Sequence, residues 1–367
     1  MHPQTEPRES PTFDNQQASM KRARLIVLSI FAIVCFLLLC KNLCAQKQLD
    51  WQGERYYDTG NQTAVAVLPT GGLILEFHQS EKSNNGLWYH VGRAYKLSSG
   101  KQAVIWSDSH SLDYSGNWPN ATVTREGYVI LVYSENGNKT LRYSIGKINP
   151  AGSDGQTIDW KLTEQIFDSG FHPSISVNSS GKFVEVHESG SGGKGIYYRI
   201  GHLQDPASGQ YNIVWDTGVK GTSYDDGINP HIALNDKNQI IEVHQVGSEK
   251  KLHYHRGLLV GNSVLFEKSV RYNDSAEQPA VTLTNDGTVV ECHIHDRETF
   301  CLTGVLNARD SSVVDWSTSS VLIGSYGYPN HYPAVSTDGK LTVSTFDKSG
   351  TPWTDGSNLY SNMANFK

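Results

Sequence analysis

A carboxylate and an imidazole recur two residues apart at four places in this chain: Glu76 and His78, Glu185 and His187, Glu242 and His244, Glu291 and His293. A spacing of two on an extended strand puts both side chains on one face, about 7 Å apart along the strand. Such a face can accept hydrogen bonds through the Glu and donate or accept through the His. Two chemistries need that. One is a satisfied polar seam between packed sheets, since half-buried carboxylates are tolerated only when hydrogen-bonded. The other is a polar pocket wall for sugar hydroxyls, for which Tyr89, Tyr143, Tyr198 and Tyr254 on the neighbouring strand are the natural stacking platforms. Both readings stay open at this level. Phe77, Val186, Val243 and Cys292, lying between the pair members, point the opposite way into packing. The corresponding residues elsewhere read as Leu131 and Tyr133, and as Val343 and Thr345.

The elements that carry these pairs repeat. Trp51, Trp106, Trp160, Trp215, Phe266 and Trp316 each end a short apolar run, at intervals of roughly fifty residues, which marks a self-similar array. A unit opens on Gly-x-x-Pro, as in Gly116 to Pro119, Gly170 to Pro173 and Gly227 to Pro230. An alternating strand follows, then a turn rich in Asn, Asp and Gly (Asn178 to Gly181, Asn235 to Asn238, Asn285 to Gly287, Thr337 to Gly339). The second strand bears the Glu and His, the third the tyrosine, and the fourth the marker aromatic. Four short antiparallel strands per unit, without helical periodicity, predict an all-β, six-bladed β-propeller over residues 46–367. Gln48 to Trp51 reads as a fourth strand that arrives before any first strand, while the last unit stops after its third. An N-terminal strand joining the last blade would then close the ring.

Residues 1–45 read as a targeting segment. Lys21, Arg22 and Arg24 precede an apolar stretch from Leu25 to Cys40, and Cys44-Ala45 suits cleavage of a signal peptide, with Met20 as a possible start. An uncleaved signal anchor is the alternative, although Leu25 to Cys40 is shorter than the roughly twenty residues that span a bilayer. In both cases the repeat domain faces an extracytoplasmic medium, secreted or held outside a membrane through the N-terminal segment alone. Cys292 and Cys301 flank a short turn and suit a cross-strand disulfide. Five Asn-x-Ser/Thr triplets, at Asn61, Asn120, Asn138, Asn178 and Asn273, are glycosylation acceptors in a eukaryotic host. A net charge of −6 without a basic run excludes the electrostatic footprint of a nucleic-acid binder. No cofactor and no metal are expected: His293 with His295, and His253 with His255, each place two imidazoles on a strand face without local residues to complete a structural zinc site. Asp225-Asp226-Gly227 reads as a solvated turn.

Six short units with Gly/Asn/Asp turns, Glu-bearing strands and neighbouring aromatics resemble the six-bladed fungal fucose-binding lectins. That resemblance implies carbohydrate recognition, with glycans or glycoconjugates as partners, in sites between blades built from an Arg, a Glu and an aromatic. Arg142, Arg199 and Arg256 hold no constant repeat position, so fucose specificity does not carry over. Six-bladed sialidases resemble the chain in blade number, but they need an arginine triad and commonly carry Ser-x-Asp-x-Gly-x-x-Trp turns, and those turns are absent. A glycosidase needs one unique carboxyl pair, whereas these carboxylates are repeated. Repetition favours a lectin-like binding protein over a glycoside hydrolase or sialidase-like propeller enzyme, with a protein-interaction scaffold as the third possibility.

Overall fold

The computed structural model describes residues 47–69, 72–80, 84–149, 157–190, 195–218, 221–246, 249–325, 332–349 and 357–366. The expected targeting segment and His331 of the last lead-in lie outside them. Among the described residues no helix is long and apolar enough to cross a membrane. Apart from a short 3-10 turn at Pro206–Ser208, the regular structure is all strand.

One unit shows the plan. Asn61–Val67, Leu73–Ser80, Gly86–Lys96 and Gln102–Trp106 pair antiparallel in that order, and His110–Ser115 pairs with the third strand alongside the fourth. The turn glycines and asparagines sit where the sequence requires left-handed backbone, with Gly181 at φ 82°, Asn238 at 61°, Gly287 at 90° and Gly339 at 88°. Within the third strand a glycine lies opposite five of the six marker aromatics: Gly92 opposite Trp106, Gly146 opposite Trp160, Gly201 opposite Trp215, Gly257 opposite Phe266 and Gly304 opposite Trp316. At Gly92, Gly146, Gly257 and Gly304 the marker ring lies over the missing side chain, and at Gly201 the Phe183 ring does.

Leu49–Trp51 pairs with Ser357–Phe366, setting Trp51 opposite Ala364 in the same relation. The N-terminal strand therefore supplies the fourth strand of the sheet formed by Ala334–Thr337, Leu341–Ser349 and Ser357–Phe366. Among the described residues the strands form five sheets, where six separate blades were expected. Thr157–Val177 is a single strand of 21 residues that serves as the fourth strand of the second unit and the first of the third, joining both into one eight-stranded sheet. Bulges and left-handed Glu164 (φ 57°) and His172 (φ 47°) let this strand turn without breaking.

The apolar core lies between successive sheets. Phe77 and Tyr89 pack on Leu131, Tyr133 and Ile158; Val186 packs with Ile232 and Ile240; Val243 packs with Val281 and Val289. Cys292 and Cys301 are direct ladder partners joined by a disulfide, buried against Phe346. In the last unit the register differs from expectation. Ladder positions equivalent to Glu76 and His78 are Ser344, opposite Asn362, and Phe346, opposite Tyr360, rather than Val343 and Thr345. Val343 instead faces Val65 and Ile74 in the core.

Candidate functional site

All four Glu–His pairs fold onto themselves. His Nδ1 reaches the carboxylate of its own pair at 3.1 Å in Glu76–His78, 3.0 Å in Glu185–His187, 3.1 Å in Glu242–His244 and 2.9 Å in Glu291–His293. None of the eight residues retains more than 2% exposure. A glycine makes room for each of the first three rings: a Cβ added at Gly60, Gly170 or Gly227 would stand 2.6, 2.8 or 2.7 Å from the ring of His78, His187 or His244. Gly-x-x-Pro is thus kept by close approach at its first position. The half-buried Tyr57, Tyr224 and Tyr272 bury their hydroxyls beside Glu76, Glu242 and Glu291; burial first, and then the adjacent carboxylate, push these hydroxyls well above the ordinary value. The third unit has Phe167 at this place, and burial raises Glu185 itself.

Each pair faces the preceding unit, which contributes a further residue, from a short outer strand in the first, fourth and fifth units and from the shared strand Thr157–Val177 in the third. Asp58 Oδ2 lies 3.9 Å from His78 Nε2 and 2.9 Å from His90 Nε2. Asp225 Oδ2 lies 3.8 Å from His244 Nε2 and 2.7 Å from His255 Nε2. Asp168 Oδ2 lies 3.9 Å from His187 Nε2 and 3.3 Å from Arg199 Nη1. In the fifth unit Asn273 replaces the aspartate and Leu302 the cation. The proposed platforms stand elsewhere. Tyr89, Tyr143, Tyr198 and Tyr254 lie on the opposite face of the third strand, and the hydroxyls of Tyr89, Tyr143 and Tyr254 accept from the backbone N–H of Ile158, Ile213 and Val314 in the next unit. The aromatic residues sharing the pair's face are Trp88, Tyr197, His253 and Phe300. Only a period-two count carried into the third strand could have found them.

A second constellation gathers at the first strands. The third residue of the Gly-x-x-Pro lead-in, or its counterpart, adopts left-handed backbone in five units without being glycine: Gln62 (φ 52°), Trp118 (φ 50°), His172 (φ 47°), Asn229 (φ 51°) and Gln278 (φ 55°). Each sits at a bulge in its ladder. Four of them, with Tyr332, line one recess to which all six first strands contribute. The Trp118 and His172 rings are 4.0 Å apart between centroids. His172 Nε2 is 3.1 Å from the Tyr332 hydroxyl, and its Nδ1 is 2.6 Å from Glu188 Oε1, the atom that accepts from Asn229 N–H. Strained backbone of this kind costs about 1–3 kcal/mol per residue and clusters at functional sites.

No family model matches the chain, and no curated protein does. Among solved structures, a complex of Aleuria aurantia lectin with Fucα1-6GlcNAc superposes with a TM-score of 0.52 at 9% identity, covering 83% of this chain and 96% of the other. An α-L-arabinanase of Penicillium chrysogenum complexed with arabinobiose gives 0.51 at 12% identity, covering 86% and 97%. A protein of unknown function from Dyadobacter fermentans gives 0.51 at 9%, covering 86% and 100%. At such identities the likeness concerns the fold alone: this is an all-β, propeller-type chain.

Proposed function

We propose that the chain is an exported carbohydrate-binding protein, lectin-like, on a six-unit propeller whose ring is closed by its N-terminal strand. The register of Trp51 on Ala364 and the recess shared by six first strands support the closure. The disulfide supports an extracytoplasmic location. The observation that carries the function is the group of strained, partly exposed residues around the recess, which presents an indole, an imidazole, a phenol and carboxamides on fixed backbone. Sugars are held by this mixture of an apolar ring face and paired polar groups. In this reading the four Glu–His pairs stand behind the inter-sheet walls, and ligand groups approach them past Asp58, Asp168 and Asp225.

A glycan array with the purified protein tests it. Selective binding to one sugar class, weakened roughly tenfold by Trp118→Ala, is expected from the loss of one stacking contact. A folded protein that binds no glycan would overturn the reading in favour of a protein-interaction scaffold. A hydrolase is the second reading, favoured by the Glu188, His172 and Tyr332 chain. Steady release of product from aryl glycosides, abolished by Glu188→Gln, would establish it.

A further inference from the structure

We propose that the clusters Asp58/His78/His90 and Asp225/His244/His255 are two divalent transition-metal sites, each bridging one sheet to the next. In both, three potential ligand atoms lie within 4.8 Å of one another. The rings are already oriented as ligands. His78 and His244 engage Glu76 and Glu242 through Nδ1, while His90 and His255 place Nδ1 on the carbonyls of Ser107 and Glu267, at 2.9 and 2.7 Å. A metal-bound imidazole ordinarily uses its second nitrogen in this way. All four Nε2 atoms then face the aspartate. Asp58 and Asp225 accept the N–H of the following residue on Oδ1, leaving Oδ2 toward the rings. His244 Nε2 is fully buried without a hydrogen-bond partner.

The chain's other repeats supply internal controls. Where the third strand carries Arg199, a guanidinium stands beside Asp168 and His187, so the place is filled by a permanent cation. Where it carries Leu302, the carboxylate is replaced by Asn273. A carboxylate thus stands where the third strand offers a guanidinium or an imidazole, and a carboxamide where it offers Leu302. Two imidazoles and one carboxylate, with an aspartate edge open to solvent, suit Zn²⁺ or a similar ion with water as a further ligand. The contacts of 2.7–3.9 Å among these atoms bracket the spacing, roughly 2.8–3.6 Å, of neighbouring ligands held at about 2.0–2.2 Å from one ion.

Cobalt(II) titrated into the purified full-length chain is the test, followed by visible absorption and by competition with Zn²⁺. Two equivalents are expected. His90→Arg and His255→Arg, copied from the third unit, should each remove one and leave the melting temperature in the absence of metal nearly unchanged. Should either fail to fold, Asp58→Asn and Asp225→Asn, copied from the fifth unit, replace them. No cobalt uptake by the unaltered protein, or uptake that survives both substitutions, would overturn the proposal.

Discussion

Asp168 faces a guanidinium, Asp58 and Asp225 face imidazoles, and the counterpart beside Leu302 is Asn273. This matching of partners across repeats was not legible in the chain, because Asp58 and Asp225 stand on short outer strands paired to the preceding sheet and Asp168 inside the long strand shared by two units. The Glu and His were legible because both lie on one strand at a spacing of two. Their mutual closure and burial make Glu185 a sharp test. Glu185→Ala leaves His187 buried without its carboxylate, while Arg199 keeps Asp168, and loss of one partner from a buried pair costs about 3–5 kcal/mol. Glu185→Gln keeps the volume and an acceptor for His187, and its cost should be less than half of that. Denaturant unfolding measures both; a loss under about 1 kcal/mol for the alanine variant would show that the pair is not a structural seam.

At the scale of the strand, the marker aromatics were legible by their spacing, and so was the cysteine pair. The glycines beneath the aromatics were not, because a glycine at a strand end reads as a turn. Nor was the register of the last unit: Leu341 to Phe346 mixes small polar and apolar residues on both faces, so without a charged pair nothing marks which face is which. The packing of ring on glycine can be tested at Gly92, where a Cβ would stand 2.6 Å from carbons of both Trp106 and Val104. Overpacking of this kind costs about 1–3 kcal/mol, so Gly92→Ala should lower stability by that amount. Adding Trp106→Leu removes one of the clashing groups. The double variant should therefore lose less than the sum of its parts, and strict additivity in a double-mutant cycle would sink the account.

Across the whole molecule the first strands are tied together by polar links that hydrophobic periodicity could not reveal. His231 is the hub: its Nδ1 accepts from Val281 N–H at 3.2 Å, its Nε2 is 3.2 Å from Asn120 Nδ2, and Asn120 Oδ1 accepts from Ile175 N–H at 2.9 Å. Four units meet through these contacts. Burial alone holds the His231 ring down at about 4, below its ordinary 6.5. Protonation would put a hydrogen on Nδ1, where Val281 N–H already points. As pH falls, the unfolded chain therefore takes up this proton first; stability is lost from about 6.5 down to about 4 and changes no further below that. The loss has an upper limit of about 3 kcal/mol, reduced by the ring's partial exposure. His231→Gln abolishes that titration while the remaining carboxylates and imidazoles titrate as before. The difference in unfolding free energy between the two proteins should shrink or reverse as pH falls across this window. Parallel pH profiles would mean that His231 is not the acid-sensitive link among the first strands.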